Sequence, residues 1–203
     1  ADVLNGGNGT GDWAQYNDGG TVGVTIDLGL DTASGGTATG DQLNGIENLF
    51  GSGYSDALTG DTAANVLSGA GGDDILTGGG GGDTLRGGLG NDTLTGDAAA
   101  RDFFYFEDLT GTDTVTNFFQ SNVPHRDSLV VDRSVFSLGT TLDASEIVNS
   151  PGVVAAGAFA QFIYDVNAKE LWFDADGTGV NAAIHIATLT GGPASLSLSD
   201  FAV

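Results

Sequence analysis

Side chains able to hold a hard cation recur in this chain at a fixed interval. Glu47, Asp56, Asn65, Asp74, Asp83 and Asp92 stand nine residues apart, each two positions before a leucine: Leu49, Leu58, Leu67, Leu76, Leu85 and Leu94. The best-formed copies are Gly69-Ala-Gly-Gly-Asp-Asp-Ile-Leu-Thr77, Gly78-Gly-Gly-Gly-Gly-Asp-Thr-Leu-Arg86 and Gly87-Gly-Leu-Gly-Asn-Asp-Thr-Leu-Thr95, which define the unit G-G-x-G-x-D-x-L-x. Copies beginning at Gly51 and Gly60 keep the phase but are degraded. The chemistry this offers is coordination. Calcium takes about six to eight oxygen ligands. A glycine-rich turn supplies a carboxylate together with main-chain carbonyls, which φ > 0 can turn inward.

Nine residues cannot fold alone, so the elements that position these acids must come from stacking. Each unit has a turn-forming part and three strand-like residues, as in Thr93-Leu94-Thr95. In so short a strand the middle side chain faces one way and its neighbours the other, so the leucine points in and Thr or Arg out. The spacing predicts an all-β fold, a right-handed parallel β-roll with two nonapeptide repeats per coil. Leu58, Leu76 and Leu94 line one sheet and Leu49, Leu67 and Leu85 the other, with coils about 4.8 Å apart. That core is thin. A buried leucine stabilises by about 1.5–3 kcal/mol, whereas ordering each residue costs about 1–2 kcal/mol. Ion binding supplies the difference. Asp74 and Asp92 then flank shared ion positions on one edge, with Asp56 a further candidate ligand. Asp83 and Asn65 do so on the other, where the neutral Asn65 oxygen makes a weaker site. A flexible linker gives no reason for Leu at period nine, and a metal-free stack would set like charges side by side. The glycine-rich turns are not a nucleotide loop, because no GK[ST] follows them.

Composition narrows the rest. The chain of 203 residues carries 27 acids, all but four of them Asp, against 5 Lys and Arg, for a net charge of −22. That charge repels phosphate backbones and excludes a nucleic-acid binder. No run of about 18 apolar residues occurs, so no membrane span is expected. No basic amphipathic face is available to anionic lipid. Cysteine is absent, which excludes a disulfide framework and leaves the redox compartment open. Asp is short and favours turns, whereas a helical acidic surface would use Glu. With no initiator Met and no signal peptide, the chain opens in mid-pattern and reads as a segment of a longer protein, with removal of the start by processing as the alternative.

These repeats resemble the RTX, or haemolysin-type calcium-binding, repeats of bacterial proteins exported by type I secretion, best over residues 51–97. The resemblance implies a roll that is disordered without calcium and folds outside the cell. It implies that Asp74, Asp83 and Asp92 are the ligand acids, and that Gly72, Gly81 and Gly90 cradle the ions. Ala70, Gly82 and the stretch 61–65 depart from the pattern. Residues 6–12 resemble one irregular turn, and the block from Asp12 to Leu58 resembles a common lead-in. Asp12, Asp27 and Asp41 are candidates for additional ions, or ordinary turn residues. Trp13 and Tyr16 read as capping hydrophobes, with a sugar platform as the alternative. Val22, Val24, Ile26 and Leu28 read as a period-2 strand. Asp102-Phe-Phe-Tyr-Phe106 resembles the family's closing D-x-F-x-F element, whose rings cover the open roll end, with Asp102 a further candidate ligand. The ending Ser199-Asp-Phe-Ala-Val203 resembles the uncleaved export signal of type I substrates.

This divides the chain into a calcium-binding roll over 1–97 and a β-rich capping and secretion-signal region over 98–203. Residues 111–118 and 127–131 read as strands, and Val135, Phe136 and Leu138 as core. Residues 139–158 read as loop or brief helix. Residues 162–165 and 170–174 form a hairpin around Val166-Asn-Ala-Lys169, and 182–189 is another strand. Asp174-Ala-Asp-Gly-Thr-Gly179 is either a small calcium loop or a plain connection. His125 and His185 are the only histidines, and no HExxH site, G-x-S-x-G elbow or cysteine nucleophile exists. The reading is a non-catalytic module that binds several Ca²⁺ ions, folds on extracellular calcium and supports type I secretion of a larger protein through a C-terminal signal recognised by the exporter. The alternative is an extracellular module that binds polysaccharide or a cell surface, favoured by exposed Trp13, Tyr16 or Trp172 beside a groove.

Overall fold

The computed structural model describes residues 1–17, 19–119, 126–136, 147–152, 160–175 and 183–202. His125, Leu138, residues 139–146 and 153–158 of the loop reading, Asp176–Gly179, Ala182 and Val203 lie outside them. Among the described residues the fold is all-β with two short 3₁₀ turns, Gly36–Ala38 and Leu198–Asp200. None of its helices is long and apolar enough to cross a membrane.

The nine-residue alternation winds the chain between two faces. A seven-stranded sheet runs in space from Trp13–Gln15 through Asn48–Phe50, Val66–Gly71, Thr84–Leu89, Phe103–Phe106 and Ser128–Val131 to Phe201–Ala202. All its pairs are parallel. A ten-stranded sheet faces it and contains Thr25–Asp27, Ala57–Thr59, Ile75–Thr77, Thr93–Thr95 and Asp113–Thr116, joined in parallel to Ile184–Thr190. Val3–Asn5 pairs separately with Gln42–Asn44.

Register aligns the inward side chains in two rows. One is Leu49, Leu67, Leu85, Phe104, Leu129 and Phe201. The other is Ile26, Leu58, Leu76, Leu94, Val115 and Leu189. The six repeat leucines are buried on the sheets their phase predicts. The same rows then take in the aromatic and β-branched residues of the C-terminal part. Both sheets therefore run unbroken past residue 97. The hairpin forms as expected, with Gln161–Asp165 antiparallel to Glu170–Asp174. Val135 and Phe136 pack into the core. Two expectations differ. Val22 is exposed, because the strand here begins only at Thr25 and Val24 is the first inward residue. Trp13 is also exposed, because Ala14 takes the inward position of its three-residue strand, while Tyr16 is buried.

Candidate metal centre

The turns stack along the two edges of the roll, and each carries its acid into the row. On one edge the Oδ1 atoms of Asp74, Asp92 and Asp113 accept the main-chain N–H of the acid one coil earlier: Asp56 to Asp74 at 2.7 Å, Asp74 to Asp92 at 2.8 Å and Asp92 to Asp113 at 3.0 Å. Val24 N–H continues the series by donating to Asp56 at 2.7 Å. On the other edge Asn65 N–H donates to Asp83, Asp83 N–H to Asp102 and Asp102 N–H to Asp127, each at 2.9 Å. These bonds pair main-chain donors that the turns would otherwise bury unpaired. An outer ladder accompanies the first edge, where Asn91 N–H donates to Asp73 and Thr112 N–H to Asn91. The second edge has the side-chain-free Gly82 at that level.

Apart from Asp113, the ladder residues fall into two classes by the side-chain atom that the ladder leaves over. Oδ2 of Asp74, Asp83 and Asp92 is buried and accepts no hydrogen bond; these residues are at most 1 % exposed. In the flanking turns a main-chain N–H of the same turn or the segment leading in reaches the acid. Ser52 N–H donates to Asp56 Oδ2 at 2.5 Å, Asp97 N–H to Asp102 Oδ2 at 2.8 Å and Phe119 N–H to Asp127 Oδ2 at 2.8 Å. Asn65 Oδ1 accepts Asp61 N–H at 2.9 Å, and its Nδ2 donates to the Glu47 carbonyl at 2.8 Å.

Backbone conformation accompanies the division. Four residues before the unpaired acids stand Ala70, Gly79 and Gly88, with φ of 82°, 96° and 99°. Two residues before them stand Gly72, Gly81 and Gly90, with φ of 107°, 99° and 132°. Ser52 and Asp61, four residues before Asp56 and Asn65, are outside the left-handed region, and their N–H groups bond the acid. The first glycine of each unit is fixed by close approach in both classes: a Cβ at Gly69, Gly78 or Gly87 would collide with Oδ2 of Asp74, Asp83 or Asp92, and one at Gly51, Gly60 or Gly96 with a side-chain oxygen of Asp56, Asn65 or Asp102. The Gly87 carbonyl oxygen lies 2.8 Å from the Cβ position of Gly69, and the Gly69 carbonyl oxygen lies 2.8 Å from that of Gly51.

Burial without a counter-charge sets the electrostatics. It pushes the Asp74 carboxyl up to about 8, Asp83 to about 7 and Asp92 to about 6, with neighbouring carboxylates adding to the rise against the main-chain N–H bonds that lower it. Asp113 and Asp127 are pushed up to about 7 for the same first reason, and Asp102 is raised. A cation beside the unpaired oxygens reverses that penalty. Among the described residues no three Asp, Glu or His side chains converge. An ion here would therefore be completed by main-chain carbonyls, and the glycine-rich turns suit that role.

The remaining candidates sit elsewhere. Asp12 N–H donates to Glu47 Oε2, and the Asp12 carbonyl accepts from Glu47 and Asn48. Asp41 accepts Asp2 N–H at 2.7 Å and the Tyr16 hydroxyl at 3.3 Å, and Asp27 accepts Leu30 N–H. None of the three stands in either ladder. Asp174 is buried at the end of its strand. Asp113 and Asp127 are ladder members that the nine-residue interval misses. The signal that finds them is an acid two positions before an inward residue, as in Asp102-x-Phe104, Asp113-x-Val115 and Asp127-x-Leu129.

Residues 42–76, 50–85 and 77–100 match the family model described as the RTX calcium-binding nonapeptide repeat (4 copies). No curated protein matches the chain. Family match, parallel roll and buried carboxylates agree, and residues 42–100 of this chain are RTX calcium-binding nonapeptide repeats.

Proposed function

We propose that the chain is a non-catalytic folding module in which calcium, held by the carboxylates of Asp74, Asp83 and Asp92 with main-chain oxygens of their turns, drives the roll to order. The observation that carries this is the set of three buried Oδ2 atoms that accept no hydrogen bond. Calcium supplies the positive charge that makes their ionised form tolerable in the interior. Gly72, Gly81 and Gly90 shape the turns, residues 1–97 form the calcium-binding roll, and residues 98–203 cap it. Type I export and folding outside the cell follow from the family resemblance. A chain that stays unfolded until it meets calcium suits passage through an exporter. The docked C-terminal segment, with Asp200 paired to Arg126 at 2.7 Å and Phe201 in the core row, would then be unfolded during export.

Polysaccharide binding has less support. Phe103 and Tyr105 line an open groove of about 580 Å³. Their ring faces are covered by Arg101 and Arg86, at 4.7 and 3.7 Å from the ring centroids. The outward face of the other sheet is instead a row of threonines: Thr59, Thr77, Thr95, Thr116 and Thr190.

Far-UV circular dichroism across a calcium titration, starting from chelated protein, tests the reading. We expect a cooperative rise in β signal with calcium and none with magnesium. A fully folded spectrum in excess chelator would overturn it.

A further inference from the structure

We infer that calcium is held by the side chains of Asp74, Asp83 and Asp92, and that the flanking turns at Asp56, Asn65, Asp102 and Asp127 are closed by main-chain N–H groups that take the place of an ion. This rests on the calcium-binding reading above and divides its sites.

In the closed turns hydrogen bonds occupy the lone pairs that an ion would need. An N–H aimed at a carboxylate oxygen places its positive hydrogen where a cation would stand. Asp56 accepts three donors: Val24 N–H and Ser52 Oγ on Oδ1, at 2.7 and 2.9 Å, and Ser52 N–H on Oδ2, at 2.5 Å. Asp102 accepts Asp83 N–H and Asp97 N–H, and Asp127 accepts Asp102 N–H and Phe119 N–H. Asn65 uses both amide atoms, one as acceptor and one as donor. Admitting an ion would require those peptides to turn away. At Ser52 and Asp61 that means entering the left-handed region, which a non-glycine side chain resists. On the second edge closed turns stand on both sides of Asp83, at Asn65 and at Asp102, and on the first edge the closed turn at Asp56 precedes Asp74 and Asp92. The closed turns order without the ion.

Ion counting on the full chain at saturating calcium, by native mass spectrometry, tests this. Asp74→Asn and Asp83→Asn are expected to lose at least one ion each. Asp56→Asn and Asp102→Asn, one coil away on the same two edges, are expected to keep the wild-type count. An ion lost from either of the second pair, with the β spectrum retained, overturns the inference. Amide exchange on the wild-type protein gives the same answer without a variant. With calcium saturating, the N–H groups of Ser52, Asp61, Asp97 and Phe119 are expected to be protected; exchange at the rate of free loop amides would mean that an ion has displaced them. A wild-type chain that binds no calcium would instead sink the underlying reading.

Discussion

The nonapeptide coils and the C-terminal cap share one pair of sheets yet are stabilised by different means. In the coils each three-residue strand places a single leucine in the interior, and the turns between are glycine and buried carboxylate. In the cap, Phe136, Phe162 and Phe173 form a triangle with ring centroids 5.0 to 5.4 Å apart, and Phe201 lies 5.1 Å from Phe162. Aromatic side chains bury far more apolar area per residue than one leucine in nine. The contrast shows that a continuous hydrogen-bonded sheet can pass from a part with one leucine per strand and buried carboxylates in its turns to a part with a clustered aromatic core.

Calcium removal is the largest perturbation of that contrast. In excess chelator, amides of residues 66–95 are expected to lose their protection from exchange, while those of Gln161–Asp165 and Ile184–Thr190 keep most of theirs. Exchange mapped by mass spectrometry reads this directly. Uniform loss across both regions would mean that the cap has no stability of its own, and the division into two energy sources would fall.

The cap can be broken independently. Phe162→Ala removes the ring shared by three aromatic contacts. It is expected to cost about 3–5 kcal/mol, the usual range for deleting a fully buried ring. Urea unfolding at saturating calcium measures it. The calcium midpoint of the coils should move much less than the cap's urea midpoint. Equal shifts would show that coils and cap fold as one unit.

Acid should act on the coils in place of the ion. Without calcium, the folded coils hold the carboxyls of Asp74, Asp83 and Asp92 at about 8, 7 and 6, against an ordinary value of 3.8. Carboxyls raised on folding favour the folded state while protonated, so that stability is fully present below about pH 4 and is lost as pH rises towards about 8. In chelator, β signal is therefore expected to grow between pH 8 and pH 4. With subsaturating calcium, acid should instead weaken binding, because protons compete for the same oxygens. Screening by added salt at pH 8 should not reproduce the acid effect. A flat chelated profile would show that these carboxyls are not buried in the ion-free coils.

Much of this contrast was legible in the residues. Period nine fixed both leucine rows and the two edges, since each copy repeats one strand and one turn. The run Asp102 to Phe106 reads correctly as a strand, but it is paired on both sides within its sheet and does not cover an open roll end, whereas alternation around Val166-Asn-Ala-Lys169 announced the hairpin. What was not legible depended on backbone angles and on altered intervals. Asp113 and Asp127 follow their ladder neighbours by 21 and 25 residues, outside the repeat. Ala70 reads as a defect in its unit yet adopts the glycine conformation. Ser52 occupies the same slot and does not, and nothing in its side chain alone foretold that its N–H would turn to Asp56. Trp13 was misplaced because a three-residue strand leaves room for one inward side chain, which Ala14 takes, and Val22 because it lies before the strand, which begins only at Thr25.

The smallest expected effect tests whether backbone conformation limits the coils. Ala70 has φ of 82°, beside Gly79 at 96° and Gly88 at 99° in the equivalent slots. An L-residue in the left-handed region costs about 1–2 kcal/mol. Glycine there relieves that strain, but it also enlarges the unfolded ensemble, an opposing effect of about 0.4–1 kcal/mol. Ala70→Gly is therefore expected to stabilise the coils by about 0.5–1 kcal/mol and to lower the calcium midpoint by a few-fold. The same exchange in the cap should have the opposite sign. Ala187 is buried in the strand Ile184–Thr190, between Asp113 and Leu171. Ala187→Gly there should cost about 0.5–1 kcal/mol, the ordinary penalty for glycine inside a regular element. Opposite signs in the two regions would show that turn geometry governs the one and packing the other. A destabilising Ala70→Gly would mean that the Ala70 turn is not strained, and that its unpaired carboxylate owes nothing to that angle.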